Sequence, residues 1–153
     1  MAIVKSKWVR HFAQTARPQT ANNTHVQQFT FDVGVEGALA AGDILELGIL
    51  PAYARITNAQ LITEGVFTAQ TADIGIMTGD VGEDFNADGS TARTSGKELF
   101  DAADLTVRLQ SLTKPDAVLL AAVDYDRSIG VKVSAAVAAA AGKRVHLILH
   151  FYQ

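Results

Sequence analysis

The stretch that most constrains the fold is Gly42-Asp43-Ile44-Leu45-Glu46-Leu47-Gly48-Ile49-Leu50-Pro51, echoed two dozen residues later by Ala72-Asp73-Ile74-Gly75-Ile76-Met77. Each is an apolar run bounded by Gly, Asp or Pro, too short for a stable helix and rich in β-branched residues, so each reads as a strand. Pro51 has no N–H to give to a ladder and ends the first of them. Ala54 to Thr63 reads as a further strand, with Gly65 allowing a bend before Val66 and Phe67.

The same signal recurs along the chain at a period of two. Phe29, Phe31 and Val33 alternate with Gln28, Thr30 and Asp32, and Leu105, Val107 and Leu109 alternate with Thr106, Arg108 and Gln110. Ile129, Val131 and Val133 form another such row, as do Val145, Leu147, Leu149 and Phe151. These last two are expected to be antiparallel neighbours joined by a broad loop over Ala135 to Gly142. Residues 35–42 read as a turn, and Lys97 to Asp104 as one short helix. About eight short strands, turn signals every 8–12 residues and no long amphipathic helix predict an all-β fold. The expected class is an antiparallel β-sandwich, jelly roll or small barrel.

Residues 1–24 stand apart as an N-terminal arm and linker, with 25–153 as a single β-domain. Lys5, Lys7, Arg10 and Arg17 are all basic, no acid precedes Asp32, and the stretch ends in a polar, turn-rich run. Helix, strand and tail are all open for its interior. Trp8 and Phe12 put aromatic area beside the charges, so Lys7, Trp8, Arg10, Phe12 and Arg17 are the candidate partner-binding residues, directed at an acidic surface. The competing reading packs Trp8 inside its own domain.

Composition narrows the function classes. At 153 residues and 48% hydrophobic, the chain can bury one self-sufficient core. A net charge of −3 argues against a nucleic-acid partner. Without cysteine there is no disulfide framework and no thiolate metal site. Neither a signal-peptide core nor a run of roughly 20 apolar residues is present, which predicts a soluble, non-exported protein with no membrane partner.

The sharpest local motif is Asp84-Phe85-Asn86-Ala87-Asp88-Gly89, whose D-x-N-x-D-G spacing can aim Asp84, Asn86 and Asp88 at one Ca²⁺. The twelfth position is Ser95 instead of a bidentate Glu, so a solvated acidic turn is the expectation and no metal or other cofactor is expected. His146 and His150 share one side of a strand but stand about 13 Å apart, too far for one zinc, whose ligand nitrogens lie within about 4 Å of one another. A polar sheet face or subunit contact is expected of them. His11 and His25 have no partner identifiable from spacing. No nucleophile elbow, G-x-G-x-x-G or P-loop occurs. Asp43, Glu46, Asp101 and Asp104 could pair as acid and base, yet strand faces and turns carry such carboxylates routinely. No catalytic residue and no enzyme is expected.

At whole-chain level, Gly42 to Ala52, Arg55-Ile56, Ala72 to Ile76, Asp126 to Val133 and the final strand ending at Tyr152 resemble the head decoration, or cement, proteins of tailed bacteriophages. The resemblance covers roughly residues 42–152. It implies a β-rich virion structural protein, commonly a homotrimer, that sits on the outside of the capsid at subunit junctions, binds the major capsid protein and stabilises the head. It would be made in the host cytoplasm. The alternative is a carbohydrate- or receptor-binding β-module of a phage head or tail fibre using the loop 78–96, which scattered Tyr53, Tyr125 and Tyr152 and a single Trp do not favour. A homotrimer is also expected because Ile44-Leu45, Ile49-Leu50 and Leu147-Ile148-Leu149 place apolar side chains on both faces of a strand.

Overall fold

The computed structural model describes residues 1–6, 23–112 and 114–153. Its strands are β1 (Ile3–Lys5), β2 (Thr24–Asp32), β3 (Ile44–Leu50), β4 (Arg55–Glu64), β5 (Thr71–Ile76), β6 (Phe100–Asp104), β7 (Leu109–Ser111), β8 (Arg127–Val133) and β9 (Arg144–Tyr152). Two single-turn helices, α1 (Val33–Glu36) and α2 (Asp116–Leu119), complete the described elements. The strands form a five-stranded sheet in the order β1-β3-β8-β5-β6 and a four-stranded sheet in the order β2-β9-β4-β7. Apart from the parallel pair β1 and β3, every described pairing is antiparallel. The expected all-β sandwich is the observed architecture.

Alternation decides which side chains meet between the sheets. Phe29 and Phe31 of β2, Leu61 of β4, Ile129 and Val131 of β8, and Leu147, Leu149 and Phe151 of β9 are all buried in one core. β3 is buried along its whole length on both faces, which is why Ile44 to Leu50 reads as a continuous apolar run. A bulge between Glu46 and Gly48 shifts its register against β8, so Leu45, Leu47 and Leu50 all reach the core. Ile44 and Ile49 lie outside that core cluster yet are buried within the monomer. Their apolar character therefore needs no neighbouring subunit. Ile148, by contrast, points outward from the four-stranded sheet, where it is half-buried.

Four local expectations change. Phe100–Asp104 is strand β6 and not helix: Leu99, Phe100 and Ala103 are buried beside β5, and Ala102 takes φ 50°, which no right-handed helix contains. The strand expected over residues 105–110 gives way to a shorter one at Leu109–Ser111, because Asp104 accepts from the Thr106 backbone N–H at 2.8 Å and from its hydroxyl at 2.7 Å, turning the chain. β8 and β9 are not a hairpin. Each is an inner strand of a different sheet, and the connection between them crosses the sandwich, bridging Val137 to Leu39 on the way.

The fourth change divides the expected arm. Ile3–Lys5 pairs with Ile44–Glu46 as an edge strand, the Asp43 carboxylate accepts from the Ala2 N–H at 3.0 Å, and buried Ser6 donates its hydroxyl to the Leu47 carbonyl at 2.5 Å. Thr24, at the other end of the arm, opens β2. No helix among the described residues is long and apolar enough to cross a membrane.

Candidate functional site

The outer face of the five-stranded sheet is where the long connection 78–96 comes to rest. Two strand glycines permit the approach: a Cβ on Gly75 would lie 2.6 Å from the Lys97 nitrogen, and one on Gly130 would lie 2.6 Å from Met77 Cγ. Into this face projects Glu46, the one acid in the apolar run of β3. Arg93 meets it with Nη1 2.9 Å from Oε1, both side chains being fully buried. The guanidinium also donates to the carbonyls of Thr78 (2.5 Å) and Glu83 (3.0 Å) and to the Ser128 hydroxyl (2.7 Å). Glu46 in turn accepts from the Ser128 hydroxyl and from the Gly82 N–H. The connection is thus fastened to the sheet from both its first and its second half. Lys5 adds to this by pairing with Asp84 at 3.1 Å and donating to the Gly82 carbonyl.

The three residues of the calcium-like motif each make a separate contact. Asp84 turns to Lys5, the Asn86 amide donates to the Thr91 hydroxyl at 2.7 Å, and Asp88 accepts from the Ser90 N–H and hydroxyl at 3.0 and 2.7 Å. The last two bonds hold the Asp88 carboxyl below its ordinary range, the hydroxyl contributing most. No group of three or more potential metal-ligating side chains occurs among the described residues.

The other carboxylates considered for acid and base chemistry are likewise occupied separately. Asp43 caps a turn by accepting from the Ala40 N–H at 2.8 Å. Asp101 lies against Lys114 and Lys97, whose ammonium groups lower its pKa in that order. Asp104 closes its own turn.

The outer face of the four-stranded sheet carries a row of charges at one end. Asp32, Arg144 and Glu64 line up across β2, β9 and β4, with Arg144 2.7 Å from Asp32 and 3.2 Å from Glu64. Both carboxyls are held below the ordinary range, chiefly by the hydrogen bond from Arg144. The next row is His146, its Nδ1 2.9 Å from the Thr30 hydroxyl. His150 stands further along the same face, between Val26 and Asn58. His25 packs its ring against Phe151, with centroids 5.7 Å apart.

The end of the sandwich opposite that charged row is different in character. Tyr53, Tyr125 and Tyr152, scattered in sequence, come together there. The Tyr53 N–H donates to the Val123 carbonyl at 2.6 Å, Asp126 accepts from the Ala52 N–H at 2.9 Å, and Tyr152 pairs with Arg55. All three phenols are exposed. Sequence separation hid this grouping, which only the pairing of β9 with β4 and the docking of 123–126 on the 51–54 turn create. Lys7, Trp8, Arg10, Phe12 and Arg17, the expected partner-binding residues, lie outside the described residues, as does His11.

A chain of the solved capsid of Ralstonia phage GP4 matches this arrangement from end to end: it is 34% identical, with 99% of this chain and 98% of that chain covered, at a TM-score of 0.81. The chain belongs to this family of phage capsid proteins. A chain of the cyanophage Pam1 capsid asymmetric unit shares the fold at 17% identity and a TM-score of 0.51, over 92% of this chain and 96% of that one. No protein-family model and no curated protein matches. As a phage capsid protein, the chain is a structural component of the virion. Its geometry agrees with that role, since the buried ion pair and the engaged carboxylates hold loops in place.

Proposed function

We propose that this phage capsid protein is a decoration protein, bound as a homotrimer to the major capsid protein on the outside of the head at subunit junctions, where it stabilises the shell. The observation that carries the reading is the self-sufficiency of the sandwich. Its first sheet is closed by its own connection 78–96 through the buried Arg93–Glu46 pair, and its core needs nothing from a neighbour. A unit complete in itself is suited to being added to a shell already built. The decoration-protein resemblance of residues 42–152 supports the same reading.

The protein would act by binding and not by catalysis. In this proposal the basic segment bearing Lys7, Trp8, Arg10, Phe12 and Arg17 contributes contacts to an acidic capsid surface, its charge steering approach and its aromatic rings supplying buried area. The test combines a solution mass measurement with co-sedimentation on heads assembled without the protein. A trimer that binds those heads and raises their resistance to heat is expected; a monomer overturns the trimer, and failure to bind the heads overturns the decoration role.

A second reading, a carbohydrate- or receptor-binding module, draws support from the three exposed tyrosines at one end. Binding of the purified protein to host cells but not to bare heads would favour it.

A further inference from the structure

We draw no further inference here: the strongest candidate, the acidic tip of the 78–96 connection, where Asp80, Glu83, Asp84 and Asp88 are exposed together with the ring of Phe85, is a cluster of carboxylates beside one aromatic side chain, and nothing in the structure shows what covers it.

Discussion

Arg93 and Glu46, far apart in sequence, meet with Nη1 2.9 Å from Oε1 and with neither side chain exposed to solvent. Removing one partner of such a pair leaves a buried charge uncompensated, which costs about 3–5 kcal/mol. Arg93→Ala should therefore lower unfolding stability by about that amount and open the 78–96 connection to limited proteolysis. The double variant Glu46→Leu with Arg93→Met should recover much of the loss, because it removes both charges together. Urea unfolding of the three proteins checks both statements, and equal stability of Arg93→Ala and wild type would contradict the role given to the pair.

The two glycines beneath that connection offer a purely steric test. Gly75 faces the Gly96–Lys97 backbone, and Gly130 faces Met77 and Ser95, with no room for a methyl group. Gly75→Ala or Gly130→Ala should each destabilise by about 1–3 kcal/mol. A midpoint of denaturation equal to wild type would mean that the connection lifts away freely.

How far sequence carries becomes clear at this connection. β2, β8 and β9 are visible from period-two alternation, because burial of one face between sheets imposes that period directly, and β3 and β5 from apolar runs bounded by Gly, Asp or Pro. Sheet membership is not, since β8 and β9 look like a hairpin and belong to opposite sheets. β6 was hidden because local helix propensity over 97–104 loses to burial of Phe100 and Ala103 beside β5. The fastening itself left one trace: a lone Glu in the apolar run Ile44 to Leu50 needs a buried cation, and Arg93 is a basic residue in an otherwise acidic connection. The grouping of Tyr53, Tyr125 and Tyr152 left none, because it arises only from long-range pairing.

Acid should weaken the far end of the other sheet. Asp32 and Glu64 have folded pKa values below their unfolded ones, with the Arg144 hydrogen bond the largest cause. A lowered folded pKa means that the contribution is fully present above the unfolded values, about 4, and is lost as pH falls through the lowered folded values. The groups are largely solvated, so the effect is small and salt-sensitive. Stability measured against pH should decline below pH about 4, and Arg144→Met should flatten that part of the curve. An identical acid limb in the variant would assign acid sensitivity to other carboxylates.

Chelation should do nothing. Asp84 and Asp88 are directed at Lys5 and Ser90, and Asn86 donates its amide to Thr91, so a calcium ion would have to break both carboxylate contacts to recruit them. The melting temperature in excess chelator is expected to equal that in millimolar calcium. A rise on adding calcium would mean that the turn rearranges around the ion.

The N-terminal stretch should divide functionally where it divides structurally. Residues 2–6 are held by pairing of β1 with β3, by the Asp43 bond to Ala2 and by the buried Ser6 hydroxyl on Leu47. Deleting them exposes β3 and removes Lys5 from Asp84, so this truncation should lower the melting temperature whether or not capsids are present. Lys7, Arg10 and Arg17 carry the proposed electrostatic contact, and replacing all three by Gln removes charge without touching β1. That variant should melt like the wild type, bind bare heads more weakly at low salt, and lose less of its remaining affinity as salt is raised, since screening acts on the charges already removed. Trp8→Ala should weaken binding at every salt concentration, because buried aromatic area is not screened. If Trp8→Ala instead unfolds the protein, Trp8 belongs to the core and the docking role of the segment is wrong.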